Sequence, residues 1–133
     1  MIEGINYNQN PDEIYNRVMH QLDVIVLFQK LENAVKVNNI EIITEIMNPN
    51  YLPNLTKEDK ELKIFNKLYY IFSTFNMAEN FLEYLIFDYN ISAANSIDKT
   101  TNRLHPKIKA MFEIRELNVE LNTNDKIGKK LKV

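Results

Sequence analysis

Apolar residues recur along this chain at intervals of three and four, and no glycine-containing hairpin dipeptide interrupts them, so the pattern predicts helices throughout. Asn10-Pro11-Asp12-Glu13 supplies a cap residue, a proline at the first helical position and a Glu three residues after the cap. Ile14, Val18, Leu22, Ile25 and Phe28 then share one face. This predicts a first helix from about Pro11 to about Lys30. Leu22 to Leu27 is apolar nearly all round, which predicts a buried core segment; with no Gly or Pro between, the pattern leaves open whether the helix runs on into Leu31 to Val37, a break or bend being favoured.

A short helix is expected over Ile40 to Met47, ended by Asn48-Pro49-Asn50, because proline disfavours helical geometry in its predecessor. Asn50 to Leu55 reads as a loop held down by Tyr51 and Leu52. Thr56 is the next cap, with Glu58 and Asp59 where the helix dipole favours negative charge. Leu62, Phe65, Leu68, Tyr69 and Phe72 form the buried stripe of a helix from about Lys57 to about Thr74. After a tight turn at Phe75-Asn76-Met77, Ala78 to Tyr89 is a further helix with Phe81, Leu82, Leu85 and Ile86 inward. Ser96-Ile97-Asp98 is a turn, and Pro106 starts a helix carrying Ile108, Met111, Phe112 and Leu117.

At 133 residues, with 45% hydrophobic and 26% charged residues, the chain is expected to fold as a single domain with a real core. That domain is expected over residues 1–117, with 118–133 a polar, Lys-rich tail that is frayed or mobile. A formal net charge of -2 argues against a dedicated nucleic-acid binder, because phosphate neutralisation needs a basic surface. The absence of cysteine removes disulfides, thiol nucleophiles and Cys-ligated zinc, as suits a reducing cytoplasm. No signal peptide is read in the first ten residues. The longest apolar run, Val24 to Phe28, is far below the roughly 20 residues of a membrane span, so no membrane partner is expected. That run is open to burial within one subunit or between two.

Leu31, Ala34, Val35, the Asn38-Asn39 turn, Ile40, Glu41, Ile42, Ile43, Ile46 and Met47 fall in order on the pattern of an ankyrin helix-turn-helix pair. Leu68, Ile71, Phe72, the Asn76 turn, and Phe81 to Ile86 repeat it with one extra residue after the turn. The chain therefore resembles a divergent ankyrin-repeat protein, with units of about 31–55, 57–95 and 97–117. It lacks the Thr-Pro-Leu-His signature and any glycine in an inter-helix turn. The resemblance implies an all-α fold of stacked antiparallel helical hairpins, the Pro11 helix acting as an N-terminal cap. A compact helical bundle is the alternative.

The same resemblance implies a protein partner bound through loops and first helices, drawing here on Asn33, Lys36, Asn54, Thr56, Tyr70 and Thr74. Tyr84 joins them from an aromatic-rich stretch, Phe65 to Tyr89, in which Tyr70, Tyr84, Phe87 and Tyr89 are left over for a partly exposed surface. The implied function is a non-enzymatic interaction module of the kind found in small effectors, inhibitors or immunity proteins of bacteria, phages or viruses. Asn, Ile and Lys richness fits an AT-rich source. No catalytic residue, metal site or cofactor is expected: His20 and His105 stand far apart with no ligand spacing, and two glycines cannot build a phosphate loop. The alternative is a small helical nucleic-acid-associated regulator using Lys126, Lys129, Lys130 and Lys132, joined by Lys107, Lys109 and Arg115.

Overall fold

The computed structural model describes residues 10–92 and 104–131, with side chains described as far as Val119. Among them the protein is all α, with no strand. Its elements are α1 (Pro11–Lys36), α2 (Ile42–Ile46), α3 (Lys57–Phe75), α4 (Glu79–Glu83), a π-helical turn (Tyr84–Asp88) and α5 (Pro106–Leu131). The chain divides into two compact units, Met1–Ile64 and Phe65–Val133, and α3 runs from the first into the second.

In the first unit, α1 begins as its sequence dictates. The Asn10 side chain accepts the Asp12 N–H at 3.0 Å, and Pro11 occupies a position whose missing N–H would have had no partner. The continuity that the pattern left open is resolved without the favoured bend, and α1 runs unbroken to Lys36. Leu27, Leu31 and Ala34 lie four and three residues apart on one buried face, so continuing the helix buries them together. Asn38, at φ 55°, ends the helix in the left-handed region, and the Asn39 N–H closes onto Ala34 O at 2.8 Å. α2 follows with Ile42, Ile43 and Ile46 buried.

The connection to α3 is held by Lys60. This lysine is only 2% exposed, and its Nζ donates to the carbonyls of Asn48, at 3.0 Å, and of Tyr51. One ammonium thus gives the Tyr51 carbonyl a donor and adds a second donor to the Asn48 carbonyl, which also accepts the Tyr51 N–H at 2.9 Å. Burial pushes that ammonium below the ordinary lysine pKa. Leu55 is buried behind the loop, and the Thr56 hydroxyl accepts the Asp59 N–H at 3.1 Å, capping α3 as expected.

In the second unit Phe65, Leu68, Ile71 and Phe72 of α3 are buried, the Phe65 ring lying 6.0 Å from Tyr69 and 5.9 Å from Phe112. Asn76, at φ 54°, terminates α3 as Asn38 terminates α1. α4 widens into the π turn, where the Tyr89 N–H reaches Tyr84 O at 2.8 Å. Asn90, at φ 60°, ends it, and Arg115 of α5 donates to the carbonyls of Ile91 and Ile86 at 2.5 and 3.4 Å. With two glycines in the whole chain, Asn takes over their usual place after helices.

His105 opens α5. Its backbone N–H donates to the Tyr69 hydroxyl at 2.6 Å, its Nδ1 accepts the Lys107 N–H at 3.1 Å, and its ring meets Phe72 edge-on at 4.9 Å. Ile108, Met111 and Phe112 are buried. α5 continues to Leu131, beyond Leu117 where the apolar pattern stops, since no Pro interrupts the segment and its one Gly lies at 128. The turn expected at Ser96-Ile97-Asp98 lies outside the described residues.

Buried and left-handed positions of the two helix-turn-helix passages correspond with an offset that grows from 37 to 39 residues. The buried Leu27, Leu31 and Ala34 recur 37 residues on as Ile64, Leu68 and Ile71. The left-handed Asn38 recurs 38 residues on as Asn76. Ile42, Ile43 and Ile46 recur 39 residues on as Phe81, Leu82 and Leu85, all buried.

Candidate functional site

One exposed apolar feature of the first unit is the outward side of α1. At about 100° per residue, Ile14, Tyr15, Val18, Leu22, Ile25 and Val26 fall within an arc of about 120°. Each is between 37% and 64% exposed. Leu27, Leu31 and Ala34 occupy a separate arc on the far side of the helix, and it is this arc that the first unit buries. The expected core segment Leu22 to Leu27 is therefore not one. Only Leu27 is buried, because residues apolar all round a helix cannot all turn toward one interior.

From Pro11 to Val18 α1 is exposed all round, and from Met19 to Val26 its half-buried residues are Met19, His20, Asp23 and Val24. His20 Nε2 lies 3.8 Å from Asp59 Oδ2, and Asn54 donates from Nδ2 to Asp23 Oδ2 at 3.4 Å. Between them opens a cleft of about 410 Å³ lined by Tyr15, Asn16, Met19, His20 and Asn54. Of its lining residues, His20 is held by Asp59 and Asn54 by Asp23, and Tyr15 also belongs to the outward stripe. A second cleft, of about 350 Å³, is lined by Asn90, Arg115, Glu116 and Val119. Arg115 is committed there to backbone carbonyls and to the Phe112 ring, 4.9 Å away.

The residues expected to bind a partner fall into three settings. Asn33 and Lys36, both exposed, extend the outward arc of α1 into its last two turns, where it becomes polar. Asn54 and Thr56 are exposed but engaged, the first with Asp23 and the second as the cap of α3. In the second unit Tyr70 is 56% exposed and meets Phe75, 62% exposed, edge-on at 6.4 Å. Thr74 lies one turn on from Tyr70 and is exposed, as is Met77 after the turn. Lys67 Nζ sits 5.6 Å from the centre of the Tyr70 ring. Tyr84 is half-buried at the start of the π turn.

Thus Tyr70 and Thr74 are brought together, as are Asn33 and Lys36. The residues that sequence reasoning passed over are Phe75 and Met77, taken as mere turn, and the outward stripe of α1, taken as core. A helical wheel of residues 11–36 carries the signal for the stripe, since it shows two apolar arcs where one interior can use one.

Two of the three helix residues of the nucleic-acid alternative are already engaged. Lys107 Nζ pairs with Glu79 at 2.6 Å, and Arg115 holds its two carbonyls. The side chains of Lys126, Lys129, Lys130 and Lys132 lie outside the described ones. Among the described residues no group of three or more His, Cys, Asp or Glu could hold a metal ion, and no helix is long and apolar enough to cross a membrane. No protein-family model matches the chain, and no curated protein or solved structure registers as a match to it.

Proposed function

We propose that this protein is a non-enzymatic protein-binding module, built on a divergent ankyrin-like repeat of helix-turn-helix passages. The same order of buried positions and left-handed Asn residues in the two passages, at offsets of 37 to 39 residues, supports the repeat. The observation that carries the function is the exposed aromatic pair Tyr70 and Phe75, flanked by Met77 and Thr74. Aromatic side chains held edge-to-face outside a core are preformed anchors: they offer large apolar area and have little rotamer freedom left to lose on binding. A small effector, inhibitor or immunity protein, acting by occlusion or scaffolding, needs no more than such a surface.

The test is capture of partners from a lysate of the source cell by the immobilised full chain at moderate and high salt, repeated with Tyr70→Ala and Phe75→Ala. A single protein retained at both salt concentrations, then weakened about 30-fold by either substitution, is the expected result, since a central aromatic anchor is worth about 2 kcal/mol. Recovery of nucleic acid alone, lost as salt rises, would replace this reading with the nucleic-acid one.

A further inference from the structure

The exposed stripe of α1 has an internal symmetry. Its six residues pair off about position 20: Val18 with Leu22, Tyr15 with Ile25, and Ile14 with Val26, each pair equidistant from the centre. On the helical wheel the two members of each pair also lie on opposite sides of the stripe's midline. Laid against a copy of itself in the opposite direction, such a stripe places Val18 in one layer with the partner's Leu22, and Tyr15 in one layer with the partner's Ile25. Self-complementarity of this kind is what a two-fold contact requires and what a surface meant for an unrelated partner has no reason to show.

We propose that α1 pairs antiparallel with α1 of a second copy of this chain, through Ile14, Tyr15, Val18, Leu22, Ile25 and Val26. Six residues at 37% to 64% exposure present on the order of 500 to 600 Å² per copy, so pairing that covered them fully would remove about 1,000 to 1,200 Å² from water, the small end of specific interfaces. The stripe runs about 18 Å along the helix, long enough for three layers.

Charge favours a second copy over other occupants. Arg17 and Asp23 are the only Lys, Arg, Asp or Glu residues between Ile14 and Val26, and Asp23 turns inward to Asn54. The stripe therefore offers no ionic complement to a charged protein, and it lacks the Lys and Arg borders by which an interfacial helix holds a lipid surface. This contact uses no residue of the surface around Tyr70.

Sedimentation of the full chain over a range of concentrations tests the pairing. A species of twice 15.7 kDa is expected for the natural sequence. Leu22→Glu, at a half-exposed position, is expected to keep the helical circular dichroism and melting of the monomer while weakening association on the order of 100-fold or more, because its carboxylate would be buried unpaired. Val18→Lys is expected to do the same alone. Mixing the two variants is expected to restore association, because in the antiparallel register the two new charges face each other. A natural chain that is monomeric at all concentrations would overturn the proposal, as would a dimer that Leu22→Glu leaves unchanged. Variants that lose association but are not rescued by mixing would overturn the antiparallel register.

Discussion

The two halves of α1 differ in what the first unit covers and in what they turn outward. From Leu27 to Lys36 the helix is apolar on its inward side, at Leu27, Leu31 and Ala34, and polar outward at Gln29, Asn33 and Lys36. From Pro11 to Val18 every residue is exposed, and from Met19 to Val26 the unit covers Met19, His20, Asp23 and Val24 only in part, while Ile14, Val18, Leu22 and Ile25 form an exposed apolar stripe. The helix itself does not change, since backbone hydrogen bonding and propensity continue through residues 26 and 27. What changes is which residues have a partner inside the unit. Hydrophobic periodicity reports that a face is to be covered, and it does not report whether the cover belongs to the same chain.

Alanine substitution on the two halves offers the largest contrast. Leu31→Ala, at a site with no exposure, is expected to cost about 3 kcal/mol through lost burial and the cavity left behind. Leu22→Ala is expected to cost less than about 1 kcal/mol when the chain is dilute enough to be monomeric. Urea unfolding of both variants at low concentration checks this, and equal losses would mean that Leu22 is core after all.

Lys60 sharpens the comparison, because it fixes the loop that leads to the residues facing the first half of α1. Lys60→Ala removes the ammonium from the Tyr51 carbonyl, leaves the Asn48 carbonyl with the Tyr51 N–H alone, and is expected to cost about 2 kcal/mol. Lys60→Met keeps the stem and isolates the charge. Since burial lowers the pKa in the folded chain, the unfolded chain holds the extra proton between that lowered value and about 10.5, and stability contributed by this group rises with pH across the window. The natural chain is therefore expected to gain on Lys60→Met as pH is raised toward 10 in parallel unfolding experiments. A flat difference would place Lys60 in water.

A smaller effect tests whether the passages end alike. Asn38→Ala and Asn76→Ala are each expected to cost about 1 kcal/mol, because a side chain beginning with Cβ and offering no local hydrogen bond is disfavoured at positive φ. Gly at either position is expected to cost nothing beyond a few tenths, and thermal melts of the four variants read the pattern directly.

Much of the fold was legible in the residues themselves. Asn10-Pro11, Thr56 and Pro106 mark helix starts because capping is a local interaction within three residues, and the structure places helices there. Asn38 and Asn76 mark helix ends for the same reason. The inward side of α1 was not legible, because apolar residues stand on both sides and the choice is made by distant elements. Nor was the burial of Lys60, which depends on carbonyls nine and twelve residues earlier folding back onto it. The exposure of Phe75 escaped notice because an aromatic beside a turn is equally compatible with lying on the core or standing off it.

Thiol cross-linking across α1 addresses the difference between its two halves most directly, and a chain without cysteine is well suited to it. Tyr15→Cys and Ile25→Cys are prepared separately, and each is oxidised or treated with a short dithiol linker alone and as a mixture. In an antiparallel pair centred on position 20, like positions stand about 15 Å apart along the helix while position 15 meets the partner's position 25. Covalent dimers in the mixture and none from either variant alone are the expected result. Dimers formed equally by each variant alone would mean parallel pairing, and no dimer in any sample would mean that the outward face of α1 is not covered by a second copy.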